Sequence, residues 1–345
     1  MHILGLGNGS IHGNSEILLK AALKAAAASD ASITISWIHV PSVVIPRNAK
    51  PIKIEREIIP NRSDEMVEGP KRVELDDREA VLNAILDADA LIIASPVYSH
   101  QPGGTLKQLA DAILGPYADV SEAYRTLEKK KAGDPSVKDV EVDPRQVKPR
   151  VAAFIAVAGS SPRFPEQWTM ALPTMHGAVY CLHAKVIDQA VFPGYAHAGS
   201  VLTDTKNTVE RAKILGQRVA SQIGKPYDEA LYLGPEEKGA CPYCHLLKVE
   251  YGQGNDVRCI TCGAQGRLVV DTSGDIRPVW EKDSIISAMT LKGKQKHRDD
   301  IVEKLNGERP KLPGISSEWE HWKNTHIPMV DIPSLREGFK ESARL

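Results

Sequence analysis

The chain has no excess of either charge, no long apolar run, few cysteines and no internal repeat. Its 43 basic residues against 44 acidic ones leave a net charge of -1. That balance argues against nucleic acid or an anionic membrane as a partner, since both need a basic excess or a basic stripe. No segment approaches the ~18 consecutive apolar residues of a membrane span. The opening Met1-His2-Ile3-Leu4-Gly5 runs straight into a strand pattern with no basic or apolar leader, so no signal peptide is expected. Five cysteines in 345 residues do not make a disulfide scaffold, and a reducing, cytoplasmic setting is expected. What is there is ordinary globular composition, 42% hydrophobic and 25% charged, long enough for a sizeable core and about two domains.

Up to about Pro226 strand and helix patterns alternate. His2–Leu6 is a short apolar strand, Asn14–Ala28 carries Ile17, Leu18, Ala21, Ala22 and Ala25 at helical spacing, and Ile33–Val40 alternates with period two. Pro41 to about Asp76 is rich in Pro, Arg and Glu and has no sustained periodicity. Asp77–Asp87 reads as a helix, Ala88–Ser95 as a buried strand, and Gly104–Leu114 as a helix. Residues 115–149 form a polar insertion, charged and Gly/Pro-punctuated from Glu128 to Val140, and are expected to be a long loop. Val151–Ala158 and Ala184–Phe192 are further strands, with Glu166–Leu182 helical between them despite Pro173. Asp204 then caps a helix that turns Val209, Ala212, Leu215, Val219 and Ile223 inward. Strands separated by helices imply βαβ units, and hence an α/β fold with a doubly wound, five-stranded parallel sheet of flavodoxin-like order.

In such a sheet a ligand sits beyond the carboxyl ends of the strands. Three segments leave those ends here. Gly7-Asn8-Gly9-Ser10-Ile11-His12-Gly13-Asn14-Ser15 offers small residues, side-chain donors and a helix N-terminus to an anion, and has no Gly-Lys-Ser/Thr of a Walker loop. The plain alternative is a flexible turn with a helix cap. Ser95-Pro96-Val97-Tyr98-Ser99 stiffens the chain and places Tyr98 where it can lie against a flat ring; the plain alternative is a Pro/Gly turn with a surface tyrosine. Ala158-Gly159-Ser160-Ser161 is a small-residue turn open to close approach by a ring system.

Together these segments resemble the flavodoxin-like NAD(P)H-dependent FMN reductases, a family that includes quinone reductases. Gly9-Ser10-Ile11-His12-Gly13-Asn14-Ser15 is similar to the family's G-S-x-x-x-x-G-N-T phosphate loop, one residue shorter and with Ile11-His12 where Pro-Arg is usual. Ala88-Asp89-Ala90-Leu91-Ile92-Ile93-Ala94-Ser95-Pro96-Val97-Tyr98 is closer still to the family's A-D-x-(apolar)₃-x-S-P-V-Y, and Leu106-Lys107 follows as expected. The resemblance covers residues 1 to about 225. It implies that Ser10, His12, Asn14 and Ser15 hold an FMN phosphate, and that Pro96, Val97, Tyr98 and Ser99 with Ala158, Gly159, Ser160 and Ser161 hold the isoalloxazine. FMN rather than FAD follows from a phosphate loop that ends the ligand there.

Cys241-Pro242-Tyr243-Cys244 and Cys259-Ile260-Thr261-Cys262 have the spacing of two knuckles that complete one tetrahedral four-thiolate site. The module resembles zinc ribbons and the short rubredoxin-like domains of some electron-transfer proteins, so Zn and Fe both fit the ligand set, with structural Zn favoured. Val249–Tyr251 reads as a strand, and Leu268–Val270 pairs with Ile276. Cys181 reads as a buried structural thiol. His176, Tyr180 and His183 either pack in the core or an interface or face a quinone. Trp280, Trp319 and Trp322 read as packing anchors of an extended tail.

The expected organisation is a flavodoxin-like FMN domain over 1–226, a four-Cys ribbon over 227–278 and a helical or extended tail over 279–345. The expected activity is FMN-dependent NAD(P)H oxidoreduction, with hydride passing to FMN and on to a quinone, flavin or other small aromatic acceptor. The flavin carries that chemistry, so no acid–base side chain is singled out as catalytic. A homodimer or homotetramer is expected. The alternatives are a reductase specific for one aromatic or unsaturated substrate and a non-enzymatic flavin electron carrier.

Overall fold

The computed structural model describes residues 1–46 and 75–328, so most of the Pro/Arg/Glu-rich stretch lies outside the described residues. The chain alternates as the hydrophobic pattern dictates. Strands β1 (His2–Gly7), β2 (Thr34–His39), β3 (Ala90–Tyr98), β5 (Arg150–Ala158) and β6 (Ala184–Pro193) form a parallel sheet of order β2-β1-β3-β5-β6. A two-residue strand, β4 (Gln101–Pro102), folds back antiparallel on the end of β3, pairing Tyr98 with Gln101. β3 is longer than the apolar run suggests, because ladder pairing with β5 continues through Pro96.

Both sheet faces are covered. Helices α1 (Asn14–Ser29) and α6 (Val209–Gln222) bury Ile3, Ile92 and Ile155 against Leu19 and Leu215. The opposite face packs Leu4, Leu6, Ile93 and Phe154 under α2 (Arg78–Asp87), α3 (Gly104–Leu109) and α5 (Ala171–Ala178). Gly216 lets α6 touch α1: a Cβ there would lie 1.9 Å from the Ala22 carbonyl oxygen.

Three local expectations are corrected. The 115–149 insertion is not one long loop, because α4 (Val120–Lys131) forms in it. Asp119 caps α4 by accepting from the Ser121 and Glu122 amides, and Val120 and Ala123 face inward beneath a charged outer surface. The helix expected over Glu166–Leu182 is confined to Ala171–Ala178, where Pro173 sits in the first turn and needs no amide partner. Asp204 closes a short 3-10 turn, Ser200–Asp204, and α6 begins only at Val209.

The four-Cys segment adds an antiparallel sheet, β7 (Val249–Tyr251), β8 (Asp256–Cys259), β9 (Gln265–Val270) and β10 (Ile276–Trp280), in the order β10-β9-β8-β7. The Leu268–Val270 pairing with Ile276 holds, in the register Ile276 to Val270. Trp280 closes this sheet by donating its indole N–H to the Gly239 carbonyl at 2.9 Å. The ribbon and the flavodoxin-like sheet belong to one compact unit, Met1–Arg298, and Asp299–Leu345 is a second. Gln189 on β6 joins sheet to ribbon by donating to the Cys244 carbonyl at 2.8 Å. In the second unit, helix α8 (Ser316–Asn324), counted after α7 (Leu291–Glu308), has no buried residue and leaves Trp319 and Trp322 exposed. Among the described residues no helix is long and apolar enough to cross a membrane.

Candidate active site

The carboxyl ends of β1, β3, β5 and β6 converge on a cleft of about 470 Å³, inside the ~300–1,000 Å³ range of ligand sites. Ser10, Asn14, Ser15, Pro96, Val97, Tyr98, Gly159 and Ser160 line it, as do Gly9, Gly13, Val157, Tyr195, Ala196 and Ala198. No Lys or Arg side chain is among these lining residues.

The first loop is shaped by its own backbone. Gly13 donates to the Ser10 carbonyl at 3.0 Å. A Cβ at Gly13 would stand 2.9 Å from that oxygen, so the turn requires glycine. No side chain caps α1, which leaves its first-turn amides and its positive dipole end facing the cleft. His12 is in the left-handed region at φ 59. Its side chain is 87% exposed and turns towards Glu16, whose carboxylate accepts from the His12 amide at 2.8 Å and from Lys20. Burial pushes the Glu16 carboxyl up, but the bonds from Lys20 and His12 outweigh it and hold the group below its ordinary value.

Four expected residues have positions other than the cleft wall. His12 faces Glu16; Ser99 lies in the turn between β3 and β4; Ala158 is buried at the end of β5; and Ser161 accepts from the Phe164 amide. Asn14 lines the cleft but is already engaged: its amide donates to the Tyr195 and His197 carbonyls at 3.1 and 2.8 Å. Its oxygen accepts from Val201 N–H at 3.3 Å, so Asn14 ties the loop after β6 to α1.

That loop, carrying Tyr195 and Ala196, was missed by sequence reasoning. So was Asn8, a buried side chain that knots two cleft loops together. Its amide donates to Ser95 Oγ at 3.0 Å and to the Gly103 carbonyl at 2.9 Å, and its oxygen accepts from Thr105 Oγ1 at 2.6 Å. Ser95 Oγ also accepts from the Gly103 amide at 3.2 Å. The only sequence signal for Asn8 was a polar residue between two glycines at the end of an apolar strand.

His176 is fully buried, with Nε2 donating to Gln189 Oε1 at 3.0 Å. Burial drives its pKa down to about 4, keeping it neutral. It therefore joins the polar chain that reaches the ribbon through Gln189. Cys181 is partly buried, and desolvation raises its thiol to about 11, which suits an inert thiol.

Cys241, Cys244, Cys259 and Cys262 are buried with all four sulfurs within 4.8 Å of one another. The Cys241–Cys262 and Cys244–Cys259 separations are 3.5 and 3.4 Å, close to the ~3.8 Å edge of a tetrahedron with ~2.3 Å metal–sulfur bonds. The two knuckles are alike. His245 donates to the Cys241 carbonyl and Gly263 to the Cys259 carbonyl, each at 2.8 Å. The donor is left-handed in both, at φ 61 and 77. His245 holds this conformation while stacked on Tyr232, ring centroids 3.8 Å apart, and bonded to Glu236.

The model of the NADPH-dependent FMN reductase family matches residues 1–190, which include the first three cleft loops. The chain belongs to that family. It is therefore an NAD(P)H-dependent oxidoreductase of the FMN type. A curated relative, flavone synthase cfoJ of Aspergillus candidus, is 32% identical over 312 residues, 89% of this chain and 91% of its own length. The solved structure of a flavone reductase superposes with a TM-score of 0.73 at 22% identity, covering 96% of this chain and 100% of its own, and so shares the fold through the ribbon. An NADH:FMN oxidoreductase in its apo form gives a TM-score of 0.41 at 14% identity, over 67% of this chain and 95% of its own.

Proposed function

We propose that this FMN reductase family member passes hydride from NADPH, through FMN, to the conjugated carbon–carbon double bond of a flat, flavone-type acceptor. The observation that carries the flavone-type substrate is the 32% identity to a flavone synthase across 89% of the chain, and the reductive direction rests on membership of the reductase family. The site supports it: the cleft wall bears no charged side chain, and Tyr98 and Phe164, on two of its loops, are 60% and 53% exposed. Bound FMN supplies the two-electron chemistry. Overall, NADPH and one proton are consumed, the double bond becomes a single bond, and NADP⁺ is released.

The chain's own part is to bind and orient. First-turn amides of α1 and the hydroxyls of Ser10 and Ser15 receive the phosphate, and the helix dipole replaces the absent cationic side chain. Asn14 and His12 shape that loop and do not bear the anion. Pro96, Val97 and Tyr98, together with Gly159 and Ser160, would hold the isoalloxazine. A structural Zn fits the four buried thiols, which also suit a reducing cytoplasm. The exposed tryptophans of the second unit support assembly into a homodimer or homotetramer.

The relative's name favours a second reading, in which the same bond is oxidised. Anaerobic incubation with FMN, NADPH and a flavone, followed by product analysis, separates the two. Loss of the flavone with matching NADPH consumption supports reduction. Inert flavone, with a flavanone dehydrogenated when air is admitted, supports oxidation.

A further inference from the structure

The turn between β3 and β4 is strained. Its two central residues, Ser99 and His100, lie in the left-handed region at φ 47 and 72. Two-residue hairpins that need both positions left-handed normally take Asn-Gly or Gly-Gly, because a Cβ is disfavoured there. A side chain retained at such a place is a pointer to function. The His100 side chain makes one cross-loop bond: Nδ1–H donates to the Glu166 carbonyl at 2.7 Å. Glu166 lies in the 3-10 turn Pro165–Trp168, directly after the β5 loop that carries Gly159 and Phe164.

His100 thus ties the hairpin to the turn that follows the β5 loop, whose Gly159 and Ser160 line the cleft. The hairpin is also a partition. Tyr98 lines the cleft of about 470 Å³ and a second chamber of about 450 Å³, which continues over Gln101, Gly104, Lys107, Thr174 and Ala178. Where the hairpin rests sets the space on each side of the Tyr98 ring.

We propose that His100 is a positioning residue for acceptor selectivity: its bond to the Glu166 carbonyl fixes the Tyr98 partition at the spacing a three-ring acceptor needs. This rests on the flat-acceptor reading of the site. A one-ring acceptor reaches the flavin edge without touching both walls and is indifferent to the latch.

The test compares wild type with His100→Gly, which tolerates the left-handed turn and has no side-chain donor, and with His100→Asn, which tolerates the turn and carries an amide N–H in the place of Nδ1. All are assayed FMN-saturated, with a flavone and with benzoquinone. The proposal expects the flavone KM to rise about 3- to 10-fold in His100→Gly, the scale of one lost hydrogen bond. It expects the benzoquinone KM and the FMN Kd to stay within about twofold, and Tm to move by less than about 3 °C, because relieved turn strain offsets the lost bond. His100→Asn retains most of the wild-type flavone KM. Parallel changes for both acceptors, or a large fall in Tm with kcat lost on both, would overturn it. Wild-type turnover of the flavone tests the functional reading separately. If that fails, the latch is scored on anthraquinone-2-sulfonate against benzoquinone.

Discussion

Replacing Asn8 with alanine should damage FMN binding although Asn8 does not line the cleft. The side chain is buried and makes three hydrogen bonds, to Ser95, Gly103 and Thr105, which join the first cleft loop to the second. A net hydrogen bond is worth ~0.5–1.5 kcal/mol, and an acceptor left buried and unpaired costs more. Ser95 Oγ keeps its bonds to the Gly103 amide and the Pro96 carbonyl, so part of the network survives. The loss is therefore about 2 to 4 kcal/mol, below a simple sum of three worst cases. If about 2 kcal/mol of it is ordering that FMN must restore, the FMN Kd rises about 30-fold. Linkage gives a second readout. At an FMN concentration 100 times the wild-type Kd, binding stabilises the fold by about 2.7 kcal/mol, and a 30-fold weaker Kd leaves about 0.9. Thermal melts with and without FMN, together with a titration of flavin fluorescence quenching, measure both quantities. An Asn8→Ala protein whose Tm falls while its FMN Kd stays within twofold would refute the clamp.

Other outcomes follow from the same geometry. Gly13→Ala forces a Cβ to 2.9 Å from the Ser10 carbonyl; the loop must shift, and flavin titration should show FMN affinity down at least about tenfold. Chelating the four-Cys metal, or Cys259→Ser, should release one equivalent of zinc to a colorimetric chelator and unfold the ribbon first, seen as early proteolysis within residues 236–290. Lys294 is buried with its ammonium donating to the Leu182 carbonyl, and desolvation lowers its pKa from 10.5 to about 8. Because the unfolded chain holds that proton to higher pH, the penalty is fully present below about pH 8 and fades as pH rises towards 10.5. Lys294→Met removes that penalty while leaving the Leu182 carbonyl without its donor, so its stability relative to wild type should be best below about pH 8 and should decline towards pH 10 in melts across the range.

The sheet was readable because β1, β3 and β5 are buried and show as apolar runs while the edge strand β2 alternates with period two, with amphipathic helices between. The four thiolates were readable because their chemistry is fixed by local spacing. The cleft was only partly so. Gly13, Pro96 and Gly159 act through their own backbone and stand out in the chain, whereas Asn8 and Asn14 act through bonds to residues far away in sequence. Nothing local to Asn14 distinguishes a phosphate donor from a loop tether, and the two differ only in where the loop after β6 returns. Helix α4 was hidden for a related reason: Lys129, Lys130 and Lys131 dominate its composition, while the few apolar residues that seat it are small. His100 reads as an ordinary turn residue until its φ of 72 shows that the turn resists it.

The most direct test of the account is an anaerobic spectrum of the FMN-loaded protein. NADPH should bleach the flavin absorption, and a stoichiometric amount of flavone added next should restore it, with the dihydro product formed in equal amount. A flavin that NADPH does not bleach would contradict the account, as would one that bleaches but returns only with a quinone or with air.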